Sequence, residues 1–139
     1  MAELATMRSN MRYLPGIKLS PTIDIASDLV ATLANADLAL IATSTAGLAT
    51  TTALIHERRP DLPILWVCKG FDRVTGKLPH ETVGQLMGEK SDVHYGVLSG
   101  PSFALEVARG LPCALTLAAN DFDFAREMTA QLRDRKSVV

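Results

Sequence analysis

Apolar residues are grouped along the chain in short uninterrupted runs that predict buried β-strands. Four such runs lie at residues 37–42, 64–68, 95–99 and 114–118. Runs of this kind are typical of strands that are covered on both faces of a sheet. Helical patterns follow them, at residues 46–58, 79–87 and 103–109, and from the N-cap candidate Asp121 to about residue 133. The alternation of strand and helix predicts an α/β fold with a parallel sheet.

The first quarter of the chain has a weaker pattern. Residues 1–12 fit the end of a helix, and the breaker pair Pro15-Gly16 predicts a turn after them. Residues 21–25 fit a short edge strand. Ser27 is a good N-cap, so a further helix is expected to begin there and to end before the first buried strand.

Polar or conformationally permissive residues follow three of the predicted strands. They are Thr43-Ser44, Lys69-Gly70 and the turn at residues 99–102. In open parallel sheets, ligands bind beyond the carboxyl ends of the strands. The pattern therefore predicts a binding edge at this end of the sheet.

The turn at residues 99–102 has the chemistry of a site for a phosphate or another compact anion. Gly100 has no Cβ, so a ligand can approach the main chain closely. Pro101 suits the entry to a helix, and Ser102 can cap that helix. The free N–H groups at the helix start would then face the anion. The same residues also fit an ordinary strand-turn-helix corner that binds nothing.

Composition narrows the class of protein. The 139 residues are 47% hydrophobic and 21% charged, with a formal net charge of −1. These values indicate one globular domain, or part of one, and give no electrostatic reason to expect nucleic acid or an anionic membrane as a partner. Cys68 and Cys113 stand alone in apolar segments, which predicts buried thiols and a cytoplasmic location. The three histidines are scattered, and no spacing indicates a metal site.

Three segments together carry a family resemblance. In order along the chain, they are residues 10–16 (NMRYLPG), 67–70 (VCKG) and 98–112 (LSGPSFALEVARGLP). They resemble the bacterial NAD(P)-dependent glycerol-3-phosphate dehydrogenases over about residues 9–133. The resemblance implies an N-terminal Rossmann domain, with a three-layer parallel sheet, joined to a helical C-terminal domain. It also implies hydride transfer between a nicotinamide cofactor, NAD or NADP, and the pair sn-glycerol 3-phosphate and dihydroxyacetone phosphate, in glycerophospholipid precursor synthesis.

The resemblance also implies roles for individual residues. Lys69 matches the family lysine that contacts both substrate and cofactor. Gly100 and Ser102 match substrate-binding positions, and Ala104 matches a position that contacts the cofactor. Ser44 is a further cofactor candidate, although Thr43 stands where the family usually has a proline, which weakens the inferred contact.

Two family features are missing from the 139 residues. They contain no Gly-x-Gly-x-x-Gly turn for the cofactor pyrophosphate and no Lys-Asn pair, whose lysine is the family's general base. We therefore expect residues 1–139 to form a partial Rossmann domain with little or no turnover, and with an unpaired sheet edge that favours low stability or self-association. The alternatives are a non-catalytic relative that keeps an anion pocket or an interaction surface, and a related β-hydroxyacid-type dehydrogenase with another substrate.

Overall fold

The computed structural model describes residues 2–88, 91–133 and 137–138, and it has helices on both faces of a central sheet. The helices are α1 (Ala2–Met7), α2 (Leu29–Leu33), α3 (Thr45–Arg58), α4 (Pro79–Met87), α5 (Ala104–Ala108) and α6 (Phe122–Leu132). The strands are β1 (Ser9–Asn10), β2 (Leu14–Lys18), β3 (Ala39–Ile41), β4 (Ile64–Trp66), β5 (Tyr95–Ser99), β6 (Cys113–Ala114), β7 (Thr116–Ala119) and β8 (Ser137–Val138).

The central sheet has four strands in the order β3-β4-β5-β7, and the first three are parallel. Ile41 pairs with Trp66, and Trp66 pairs with Val97. The parallel register therefore brings the carboxyl ends of β3, β4 and β5 to one edge. Two short pairs complete the described strands: β1 with β2, and β6 with β8.

Each face of the sheet has its own apolar cluster. On one face, residues of β3 and β4 pack against α2, α3 and α4, with a buried cluster that includes Leu33, Leu48, Ile55, Ile64, Trp66 and Val83. On the other face, Leu65 packs with Phe124 and Met128 of α6. Since neighbouring residues of a strand point to opposite faces, this arrangement gives the three layers that the resemblance predicted.

The sheet is incompletely covered at β3. Within the described residues, β3 is an edge strand that pairs only with β4. Leu40 lies on the α6 face and is 55% exposed, although its neighbours Ala39 and Ile41 are buried. An unpaired strand edge beside an exposed leucine is a surface on which another strand can pair.

The prediction that all four strands run parallel is wrong for the last one. β7 pairs with β5 in the antiparallel direction, with Val97 opposite Ala118. A parallel return needs a connection that runs back along the sheet, but α5 has only five residues and rises about 7.5 Å. Instead, α5 packs against β2. The chain then returns to the sheet at the edge where β5 ends, and β7 therefore runs antiparallel to β5.

Two predictions for the first quarter of the chain are also wrong. Residues 21–25 form no strand, because the Arg8 guanidinium donates hydrogen bonds to the carbonyl oxygens of Ser20 and Ile23. The turn that was expected at Pro15-Gly16 lies at residues 11–13. Pro15-Gly16 is instead part of β2, which pairs with β1 through an irregular register.

Helix starts were predicted with mixed success. Asp121 caps α6 as expected, since its carboxylate accepts a hydrogen bond from the Phe124 N–H at 2.8 Å. Asp28, and not Ser27, caps α2, and it accepts from the Ala31 N–H at 3.2 Å. Among the described residues, no helix combines the length and apolar character needed to cross a bilayer.

Candidate functional site

Lys69 lies at the carboxyl edge of the sheet, three residues beyond the end of β4. Gly70 has φ +94°, a left-handed conformation that glycine adopts without strain, so the chain turns immediately after the lysine. The Lys69 side chain is exposed, and its Nζ donates a hydrogen bond to the Gly100 carbonyl oxygen at 2.6 Å. The lysine thus links the ends of β4 and β5, as expected for neighbouring parallel strands.

The main chain of Lys69 is held from the opposite side. The Thr45 hydroxyl, at the start of α3, donates to the Lys69 carbonyl oxygen at 2.9 Å. This bond connects the end of β3 with the end of β4. The two residues are 24 positions apart along the chain, so no local sequence pattern signals this contact.

The Gly100 carbonyl oxygen is the point at which the three predicted substrate-binding residues meet. It accepts from Lys69 Nζ and from the Ser102 N–H at 3.0 Å, and the Ser102 hydroxyl lies at 3.5 Å. A Cβ on Gly100 would lie 2.3 Å from the Ala114 carbonyl oxygen. The space that we expected a ligand to use is therefore filled by the protein, and packing on Ala114 requires the glycine.

The helix after this turn differs from the prediction. It spans Ala104–Ala108, and Phe103 is its N-cap, without a side-chain capping bond. Ser102 therefore does not cap it. Ala104 is the exposed first residue of α5, and this helix packs on β2. The structure thus groups Lys69, Gly100 and Ser102 but shows no bond between Ala104 and any of them.

Ser44 is the N-cap of α3 at the same edge of the sheet. It is exposed, and its hydroxyl makes no capping hydrogen bond. Its carbonyl oxygen accepts from the Thr43 hydroxyl at 3.1 Å and from the Gly47 N–H at 2.9 Å. Thr43, which replaces the family proline, therefore supports this turn through a hydrogen bond.

A cleft of about 240 Å³ opens beside Lys69. Its lining comes from the ends of β4 and β5 and from the start of α4, and consists of Trp66, Cys68, Lys69, Gly70, Pro79, His80, Val97 and Ser99. His80 and Ser99 had no assigned role in the sequence analysis, because no motif surrounds the histidine. A wider hollow of about 960 Å³ lies at the amino ends of β4 and β5 and contains none of the predicted site residues.

The charge in the cleft comes from the lysine. Burial raises the pKa of the Cys68 thiol, and hydrogen bonds from the backbone and from Thr45 offset this only in part. The thiol therefore stays neutral at physiological pH. Cys68 and Cys113 are both free thiols; Cys68 is buried as predicted, whereas Cys113 is only half-buried. No group of three or more potential metal ligands occurs in the described parts of the chain.

Comparison with known proteins shows the family of this chain. The family model for the N-terminus of NAD-dependent glycerol-3-phosphate dehydrogenase matches residues 1–125. The chain belongs to this family. A relative from Dechloromonas aromatica, named glycerol-3-phosphate dehydrogenase (NAD(P)+), is 45% identical over 130 residues, which cover 94% of this chain and 39% of the relative. The chain therefore spans about two fifths of the relative's length.

Solved structures agree with the sequence comparison. The crystal structure of glycerol-3-phosphate dehydrogenase from Coxiella burnetii matches 99% of this chain and 42% of that enzyme, with a TM-score of 0.86 and 29% identity. The glycerol-3-phosphate dehydrogenase of Plasmodium falciparum matches with a TM-score of 0.80 at 22% identity, and covers 99% of this chain and 38% of that one. The second match shows the fold alone. The family resemblance and the Rossmann-like fold class predicted from the sequence are both confirmed.

Proposed function

We propose that this chain provides the phosphate-binding edge for the NAD(P)-dependent interconversion of sn-glycerol 3-phosphate and dihydroxyacetone phosphate. The observation that carries the proposal is the convergence of Lys69, Gly100 and Ser102 on one carbonyl oxygen at the carboxyl edge of the sheet. These are the residues that the family resemblance assigns to the substrate, and Lys69 lies 31 positions from Gly100 along the chain.

The chemistry of Lys69 suits this role. Its ammonium group is exposed and donates to a neutral carbonyl oxygen. A phosphate oxygen is a stronger acceptor, because the attraction between opposite charges adds to the hydrogen bond. An incoming phosphate can therefore take one donor of Lys69, while the Ser102 hydroxyl, at 3.5 Å from its present neighbour, is free to turn to the ligand.

Two further residues fit contacts with the nicotinamide cofactor. Ser44 and Ala104 are exposed, and the Ser44 hydroxyl is not used for capping. We propose that they approach NAD or NADP, together with Lys69, at this edge of the sheet. The bound nicotinamide supplies or accepts the hydride, and the residues of this chain orient the substrate and neutralise its phosphate.

The substrate assignment is tested by replacing the lysine. We expect Lys69→Met to weaken the binding of glycerol 3-phosphate by about tenfold or more, because a charge-assisted bond is lost. The measurement is calorimetric titration of the 139-residue chain. Lys77→Met is the matched control, since Lys77 Nζ is bonded to Gln85 and Lys77 is absent from the cleft lining. Equal affinities in the two variants would contradict the proposal.

We expect the 139-residue chain to have little or no turnover. It contains neither a Gly-x-Gly-x-x-Gly turn nor a Lys-Asn pair, so the cofactor pyrophosphate and the general base lack their family residues. The check is NADH and NADPH oxidation in the presence of dihydroxyacetone phosphate. Sustained oxidation above the rate without protein would overturn this expectation.

A non-catalytic interaction role is the second candidate. Phe103 and Val107 are 70% and 48% exposed, so α5 offers apolar surface beside the candidate site. The same calorimetric titration separates the two functions. If the unmodified chain releases or absorbs no heat on titration with glycerol 3-phosphate, the anion pocket is excluded and the interaction role remains.

We further propose that residues 1–139 act as part of a Rossmann domain in the cytoplasm. The two free cysteines support a reducing compartment. The exposed Leu40 beside the edge of β3 supports self-association, which light scattering would detect as a mass above that of one 15.0 kDa chain.

A further inference from the structure

His80 lies in the same cleft as Lys69 but comes from a different element. It is the second residue of α4, directly after Pro79, and its side chain is exposed. The imidazole has no hydrogen bond or ion pair within the described residues. It lines the cleft of about 240 Å³ together with Lys69 and Ser99. The cleft thus has a cation on the sheet side and an uncommitted imidazole on the helix side.

The other charged groups near His80 are already engaged or face elsewhere. On its own helix, the Glu81 carboxylate accepts the Leu78 N–H at 2.7 Å. Lys77, which precedes the helix, is bonded to Gln85. From the sheet, Cys68 is a neutral thiol, because burial raises its pKa, and Tyr95 lies with His80 in a neighbouring cleft. Lys69 is therefore the remaining charged side chain in the lining.

We propose that His80 and Lys69 bind the substrate phosphate from opposite sides of the cleft. The inference rests on the proposed function and deepens it by adding a second binding residue. The imidazole has an N–H donor that no other described group uses, so it can donate to a phosphate oxygen while Lys69 supplies the positive charge. Anion affinity at this site therefore depends on His80 as well as on Lys69.

Sulfate is the probe, because it is a compact dianion with oxygens like those of a phosphate group. We expect His80→Ala to bind sulfate about five- to tenfold more weakly than the unmodified chain, because a hydrogen bond to a charged group is lost. His80→Gln should recover part of the lost affinity, because glutamine keeps a donor.

His94→Ala is the matched control. His94 is also exposed, but it stacks on Phe124, with the ring centroids 5.0 Å apart, on the α6 side of the sheet. This variant should bind sulfate as tightly as the unmodified chain. Isothermal titration measures the affinity of each protein, and circular dichroism confirms that each remains folded.

The outcomes separate this inference from the proposed function. Sulfate binding that is weakened by Lys69→Met but is unchanged in His80→Ala, or that is weakened equally in His80→Ala and His94→Ala, overturns the role of His80 alone. Absence of binding of both sulfate and glycerol 3-phosphate overturns the proposed function. An affinity that falls in His80→Ala and in Lys69→Met but not in His94→Ala supports the inference.

Discussion

Helices α4 and α5 each follow a strand of the same sheet, yet they differ in what they bury. Pro79, Val83 and Met87 of α4 are buried against the sheet. Helix α5 buries none of its residues, although it carries apolar side chains such as Leu105 and Val107. Both helices looked alike in the sequence as amphipathic segments after a strand.

The difference follows from the path of the chain. Helix α4 has nine residues and rises about 13.5 Å, so it runs back along the sheet and covers it. Helix α5 has five residues and stays at the carboxyl edge. The first helix therefore contributes stability, whereas the second leaves Pro101 and Ser102 of the neighbouring turn exposed.

Truncation of one leucine in the apolar cluster that α4 covers, and of one on α5, tests this contrast and should give the largest effect. Leu48, on α3 in the packed layer, is 1% exposed, and Leu105 on α5 is 39% exposed. We expect Leu48→Ala to lower the free energy of unfolding by about 2–5 kcal/mol, because it leaves a cavity. Leu105→Ala should change it by about 0.5 kcal/mol or less. Urea denaturation measures both, and similar losses would show that α5 belongs to the core.

Two glycine substitutions test whether the accessible turn is nevertheless tightly held at one point. A Cβ on Gly100 would lie 2.3 Å from the Ala114 carbonyl oxygen, whereas one on Gly84 in α4 would meet only the Tyr95 hydroxyl, at 3.4 Å. We expect Gly100→Ala to destabilise the chain by about 1–3 kcal/mol through this clash. Gly84→Ala should be neutral or should stabilise by up to about 1 kcal/mol, since alanine favours helix.

Thermal and urea unfolding of the two glycine variants provide the measurement. If Gly100→Ala is as stable as the unmodified chain, the 99–102 turn can move away from Ala114. The turn would then be a mobile element and not a rigid support for Lys69.

Acid unfolding gives the smallest expected effect and concerns the packed region. Arg59 donates to both carboxylate oxygens of Asp61, at 3.1 and 3.0 Å, and this lowers the pKa of Asp61 from its ordinary value of 3.8. Arg59 also donates to the Leu33 carbonyl oxygen at 2.7 Å, at the end of α2. Because the folded-state pKa is lowered, this stabilisation is complete above about pH 4 and is lost as the pH falls through the folded-state value.

Asp61→Asn should therefore lower the urea midpoint slightly at pH 7, and its midpoint should fall less than that of the unmodified chain between pH 5 and pH 2. Asp24→Asn is the control, since Asp24 is exposed and has no ion pair within the described residues. If the urea midpoint of Asp61→Asn falls as much between pH 5 and pH 2 as that of the unmodified chain, the Arg59–Asp61 pair does not contribute to pH-dependent stability.

Much of the fold was accessible from local pattern. The predicted bounds of α4 and β5 agree with Pro79–Met87 and Tyr95–Ser99. Pro79 begins α4 at a position where its missing N–H costs nothing, and Gly88, with φ +80°, ends it. The candidate edge followed from the same reasoning, because parallel strands place their carboxyl ends together.

Other features depended on long-range contacts. Arg8 donates hydrogen bonds to the carbonyl groups of residues 20 and 23. Residues 21–25, which fit a strand by their pattern, therefore make these bonds with a side chain and not with a partner strand. Thr45 contacts a residue 24 positions away, and His80 enters the cleft only because α4 packs beside the end of β5. A sequence motif cannot report such contacts when the partners are not neighbours along the chain.

The sequence by itself determined the segments that form β3, β4 and β5, the family resemblance to the glycerol-3-phosphate dehydrogenases, and the position of Lys69 and the Gly100 turn at one edge. The reason is that apolar periodicity and turn residues act within a few positions of one another. Only the tertiary structure decided the direction of β7, the packing that requires Gly100, and the position of His80 opposite Lys69. These features depend on where the connection after β5 runs and on how α4 packs on the sheet, which local pattern does not specify.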